Sequence, residues 1–104
     1  MDINRIADAL LIVTDNVGHY TAFQKTDQYI VWAEDTQADA VYADGRMQEQ
    51  AIQGTIDYYT KTENDPNVEK IQTALNDADI SFYLNSVQYE DDTRFIHYEW
   101  VWSI

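Results

Sequence analysis

A chain of 104 residues has room for one domain (1–104) and a modest core, and its formal net charge of −13 sets it against nucleic acid and anionic membranes. It contains no cysteine, which excludes disulfides and thiolate chemistry. Three Trp, eight Tyr and three Phe are too much aromatic surface for a disordered acidic chain, and more than a small core hides, so some rings are expected at a subunit contact.

The first element is a helix over Asp2 to about Asp15. Ile3, Ile6, Ala7, Leu10 and Val13 recur at helical spacing, and Leu11 and Ile12 widen the apolar stripe. Asp2 suits the N-cap, and Asn16 or Gly18 suits a left-handed C-terminal position. His19 to Phe23 reads as short and extended or irregular. Gln28 to Glu34 (QYIVWAE) is a strand rich in β-formers, covered on both faces or covered by a partner on one. Asp35 to Gln50 is the least determined stretch. Asp44-Gly45 is a hairpin pair between Val41-Tyr42-Ala43 and Arg46-Met47, which predicts a short projecting ribbon or a loose loop.

Ala51 to Lys61 alternates, with Ile52, Gly54, Ile56 and Tyr58 on one face. Gly54 marks a bulge or a close neighbouring backbone. Asp65-Pro66 opens a second helix, whose stripe is Val68, Ile71, Ala74, Leu75 and Ala78. The closing stretch carries the strongest pattern: Ile96, Tyr98, Trp100, Trp102 and Ile104 share one face of a strand, while His97, Glu99, Val101 and Ser103 share the other. Phe82 to Glu90 is its hairpin partner across Asp91, Asp92 and Thr93. A three-residue loop puts Phe82 opposite Trp102 and Leu84 opposite Trp100, with a bulge near the tip to turn Val87 inward. A slip of one residue would instead aim Tyr83, Val87 and Tyr89 at the core. These elements predict an α+β fold: an antiparallel or mixed sheet of about four strands, two helices on one face, and the ribbon.

Catalytic signatures are weak. His97 and Glu99 share a strand face and form the one His–carboxylate candidate, but an exposed, unremarkable strand histidine is the preferred reading. There is no Gly-x-Ser-x-Gly elbow and no phosphate-cradling loop. Asp77/Asp79 and Glu90–Asp92 fall short of a cation loop and read as solvated turns. Tyr58-Tyr59 and Tyr29/Trp32 read as packing, because this charge opposes stacking on nucleic acid. No apolar run approaches the ~18–20 residues of a membrane span, and the acidic, amphipathic N-terminus is unlike a leader, so the expected compartment is the cytoplasm. Neither a cofactor nor a metal is expected.

The succession YIVWAED, VYADGRM, GTIDYYTK, DPNVEKIQTALND and ISFYLNSVQYEDDTRFIHYEWVW resembles the tail-completion or tail-terminator proteins of long-tailed bacteriophages over essentially the whole chain, most specifically in YLNSVQYEDDTRFIHYEWVW. The resemblance implies a non-catalytic α+β subunit that forms a ring, usually a hexamer, at the head-proximal end of the tail tube. There it would stop tube growth and meet the head connector, in the virion tail after assembly in the bacterial host cytoplasm. Partners would be other copies, the tail-tube protein and the connector protein, with no direct nucleic-acid binding and no membrane. Val41, Tyr42, Asp44, Arg46 and Met47 are then interface candidates, and Glu90, Asp91 and Asp92 candidates for an acidic lumen that DNA does not adhere to. The competing expectation is an acidic DNA mimic that inhibits a host nucleic-acid-binding protein. The carboxylates, spread over helices, turns and linker, do not form the single elongated face a mimic needs.

Overall fold

A computed structural model describes residues 2–37, 41–43, 46–49 and 52–104, with side chains for 2–35 and 52–104. The elements run α1 (Asn4–Leu11), β1 (Val17–His19), β2 (Gln28–Gln37), β3 (Val41–Ala43), β4 (Arg46–Glu49), β5 (Ile52–Thr60), α2 (Asn67–Asp77), β6 (Ser81–Glu90) and β7 (Phe95–Ser103). Five strands form one mixed sheet in the order β1-β2-β5-β7-β6, and β3 and β4 form a separate two-stranded ribbon. The fold is α+β as expected. The additional strand is β1, which pairs parallel with β2 through Val17↔Ile30 and His19↔Trp32 and ends at His19, where a short extended or irregular stretch was expected to begin.

One sheet face carries the core, and register explains why. Trp32, Ile56 and Trp100 are successive cross-strand partners, as are Ile30, Tyr58 and Tyr98, so one parity on three strands stacks into a single layer. Both helices cover that layer with Ile6, Ala9 and Leu10 from α1 and Ile71, Ala74 and Leu75 from α2. Trp100 and Trp102 are fully buried. Their indole N–H groups are satisfied: Trp100 donates to Gln72 Oε1 at 3.1 Å and Trp102 to the Thr55 carbonyl at 3.0 Å. The Arg5 guanidinium of α1 donates to the Ala78 and Asp79 carbonyls, where α2 ends and its dipole is negative.

Gly54 is required by close approach. A Cβ there would lie 2.0 Å from the Ala33 carbonyl oxygen and 2.5 Å from the Trp102 ring. The facing strand bulges between Glu34 and Thr36. Gly18 serves the same purpose, and not the left-handed cap expected for it: its Cβ would meet the Thr21 carbonyl oxygen at 1.9 Å. Asn16 is likewise no cap but a brace. Its side-chain amide donates to the Gln24 and Gln28 carbonyls and to Thr26 Oγ1, and accepts from the Gln24 N–H.

Helix α1 is shorter than its apolar stripe. It ends at Leu11 because the chain must turn into β1, which leaves Leu11 and Ile12 outside, Ile12 at 79% exposure. Asp2 still caps its start, accepting the Asn4 N–H at 2.9 Å. The closing hairpin has the expected pairs Phe82↔Trp102 and Leu84↔Trp100; a bulge brings Val87 opposite Tyr98, but on this edge strand its side chain stays exposed and is not turned into the core as expected. That bulge lies mid-strand, between Leu84 and Ser86, and lengthens the loop from three residues to four, with Arg94 at φ 65 closing it.

The buried carboxylate of Asp65 joins three elements. At 4% exposure it accepts from Tyr58 OH at 2.5 Å, Thr60 Oγ1 at 2.6 Å, Gln28 Nε2 at 2.8 Å and the Asn67 N–H at 2.9 Å. Burial pushes its pKa up, but the hydrogen bonds from Thr60, Tyr58, Asn67 and Gln28 outweigh it and hold the group below its ordinary 3.8. Burial and the bond to Asp65 push the Tyr58 phenol up to about 12.

Two substitutions test this frame by urea denaturation. Trp100→Ala should cost about 3–5 kcal/mol, and an unchanged midpoint would mean that the indole does not support the core. Asp65→Asn turns an N–H₂ toward donors and should cost about 1–3 kcal/mol, whereas a neutral result would show that the carboxylate is dispensable.

Candidate assembly surface

The sheet face opposite the helices is lined with rings. Tyr29 stacks on Tyr59 at 4.7 Å between centroids, Tyr59 stacks on His97 at 4.3 Å, and Phe95 meets both tyrosines edge-on. The Lys61 ammonium lies 4.9 Å from the Phe95 centroid, a cation–π contact. Covering one another, these side chains keep Tyr29 at 7% exposure without a helix above it.

His97 pairs with Asp57 and not with Glu99. Its Nε2 lies 2.6 Å from Asp57 Oδ1, with both side chains 19% exposed, and Glu99 instead accepts from Asn85 Nδ2 at 2.8 Å. The hydrogen bond to Asp57 raises the His97 pKa, against the opposing effect of burial, with help from the charges of Asp57, Glu90 and Glu99. The pair is a diagonal cross-strand contact from β5 to β7. The sequence signal for it, alternation in both strands, carries no information on which strands are neighbours. A second pair, His19 and Glu34 at 2.6 Å, sits at the β1 edge, where the imidazole lies flat on Trp32 at 3.9 Å. The hydrogen bond from His19 holds the Glu34 carboxyl below its ordinary range. Neither pair adjoins a nucleophile or a third ligand, and no cluster of three metal-ligating side chains occurs among the described residues.

The expected assembly residues lie at opposite ends of the sheet. Val41, Tyr42, Arg46 and Met47 belong to the β3–β4 ribbon, in which Tyr42 pairs with Met47 and Ala43 with Arg46. Asp44, with its Asp44-Gly45 turn, lies outside the described residues. The ribbon leaves the sheet where β5 begins, at Ile52. Glu90 ends β6 opposite Phe95, and Asp91 and Asp92 are exposed in the adjoining turn, beside the other end of β5 at Thr60. The two groups are separated by the length of β5, about 27 Å.

Leu84 and Val87, expected on the core face, are exposed on β6, as are Tyr83 and Tyr89, which the expected register already turned outward. Leu84, Val87 and Tyr89 lie opposite Trp100, Tyr98 and Ile96 on the helix side of the sheet yet stay exposed on this edge strand, and Tyr83 lies on the other face.

No protein-family model and no curated protein matches the chain. Among solved structures, a chain of the virion of a native gene transfer agent particle is similar, with a TM-score of 0.57 and 13% identity, over 93% of this chain and 82% of that one. At that identity the likeness is one of fold.

The His97–Asp57 pair makes stability depend on pH. A histidine with a raised folded-state pKa contributes fully below its unfolded value of 6.5, and the contribution is lost as pH rises through the folded value. Denaturation midpoints should therefore fall from about pH 6.5 upward, and Asp57→Asn should flatten that slope. An unchanged slope in the variant would show that the pair is not coupled.

Proposed function

We propose that this chain is a structural subunit of a phage-like particle, forming a ring at the head-proximal end of a tail tube. The ring ends tube polymerisation and helps join tail to head. The observation that carries this reading is the shared fold with a gene transfer agent virion chain over 93% of the present chain. The resemblance of the closing hairpin to tail-terminator proteins points the same way.

In this reading the chain catalyses nothing, and its partners are other copies, the tail-tube protein and the head-connector protein. Val41, Tyr42, Arg46 and Met47 reach a neighbour through the ribbon, and Asp44, which lies between them in sequence, takes part in the same contact. Glu90, Asp91 and Asp92 face the bore, where carboxylates repel phosphates and let the duplex slide. With a net charge of −13, the chain has no electrostatic drive toward nucleic acid or anionic lipid.

The test is negative-stain imaging of the protein mixed with purified tail tubes. Density at one end only, together with arrested tube elongation, is the expected result. Tubes that stay bare, or that are decorated along their sides, would refute it.

A further inference from the structure

A ring needs two different surfaces that fit each other, because each copy contacts the next head-to-tail. The exposed large apolar side chains fall into two such sets. Tyr83 (58%), Leu84 (44%), Val87 (50%) and Tyr89 (60%) all lie on β6. Among the described residues β6 has β7 as its sole strand neighbour, so it forms one edge of the sheet. The second set is Tyr20 and Phe23, just after β1 at the opposite edge, with Leu11 and Ile12 at the end of α1, the helix that packs over β1 and β2.

Edge β6 carries few of the usual defences. It is ten residues long, contains no Pro and no Lys, and bears a single charge, Glu90 at its end. Its bulge at Asn85 interrupts backbone pairing but leaves apolar side chains on both faces. Charge singles out the occupant. Ser81–Tyr89 has no formal charge, and neither do Val17–Phe23 and Ala9–Thr14, in a chain with 19 acidic and 6 basic residues. A basic partner would be drawn to the acidic surfaces. These uncharged stretches, the second with the Glu34 carboxylate paired to His19 beside it, are where copies that repel one another elsewhere approach at least electrostatic cost.

We infer that the β6 edge of one copy docks against the β1 edge and α1 end of the next, so that Tyr83, Leu84, Val87 and Tyr89 cover Tyr20, Phe23 and Ile12 of a second copy of this chain. The inference rests on the ring reading above and assigns its two contact surfaces.

Charge-blocked variants test it. Wild type, Val87→Lys, Phe23→Lys and an equimolar mixture of the two variants are compared by native mass spectrometry, alone and with tail tubes. Circular dichroism verifies the fold, and Tyr89→Lys or Tyr20→Lys replaces a variant that misfolds. Each variant alone should be monomeric and leave tube ends bare. The mixture should give a one-to-one heterodimer and nothing larger, since it retains one intact pair of surfaces. Homodimers of Phe23→Lys would mean two-fold β6–β6 pairing and overturn the inference. Variants that assemble like wild type would place the ring contacts elsewhere and leave the ring reading standing. A wild type that stays monomeric and ignores tubes would defeat both.

Discussion

The fold depends on an ionised carboxylate that is almost out of reach of water. A charge in such a place is tolerable only when donors surround it. The donors of Asp65 come from the start of β2, the end of β5 and the first turn of α2. One side chain thus fixes where α2 begins relative to the sheet, and α2 carries Ile71, Ala74 and Leu75 onto the tryptophan layer. Without that anchor the helix would have its apolar stripe but no defined place to set it down. The Asp-Pro pair is therefore more than a helix start: it couples the helix to two strands.

Much of this was legible in the residues. Alternation in Ile52–Tyr58 and Ile96–Ile104 identified two central strands because each buries one face only, and the pairs Phe82–Trp102 and Leu84–Trp100 pointed to the register seen at the base of the hairpin. What stayed hidden depended on neighbours distant in sequence. Strand β1 has three residues and is held by the close approach at Gly18 and by the Asn16 amide, neither of which alters local periodicity. The partner of His97 is 40 positions away, and only the strand order brings Asp57 to it. Ile12 misled the helix boundary because its apolarity serves the surface and not the core.

Charge and apolarity divide the molecule by direction. Along the strands, one end of the sheet bears the acidic turn at Glu90–Asp92 and the other gives rise to the ribbon. Across the strands, both edges carry uncharged, partly apolar stretches, the β1 edge with the His19–Glu34 pair beside it. Under the inferred edge-to-edge docking these are different tasks: lateral surfaces meet copies of the same chain, the ribbon reaches a neighbour from one end, and the acidic turn faces the bore. An acidic protein of this kind stays soluble as single molecules and associates where its charge is lowest.

The Asn16 amide has one more effect. The segment that presents Phe23 has no regular secondary structure between β1 and β2, yet a single side chain ties Gln24, Thr26 and Gln28 together. The entropy of ordering that segment is lost when the monomer folds and not when a neighbour arrives. Such preorganisation leaves more of any contact energy as affinity, so a small apolar patch here can act with the strength of a larger, looser one.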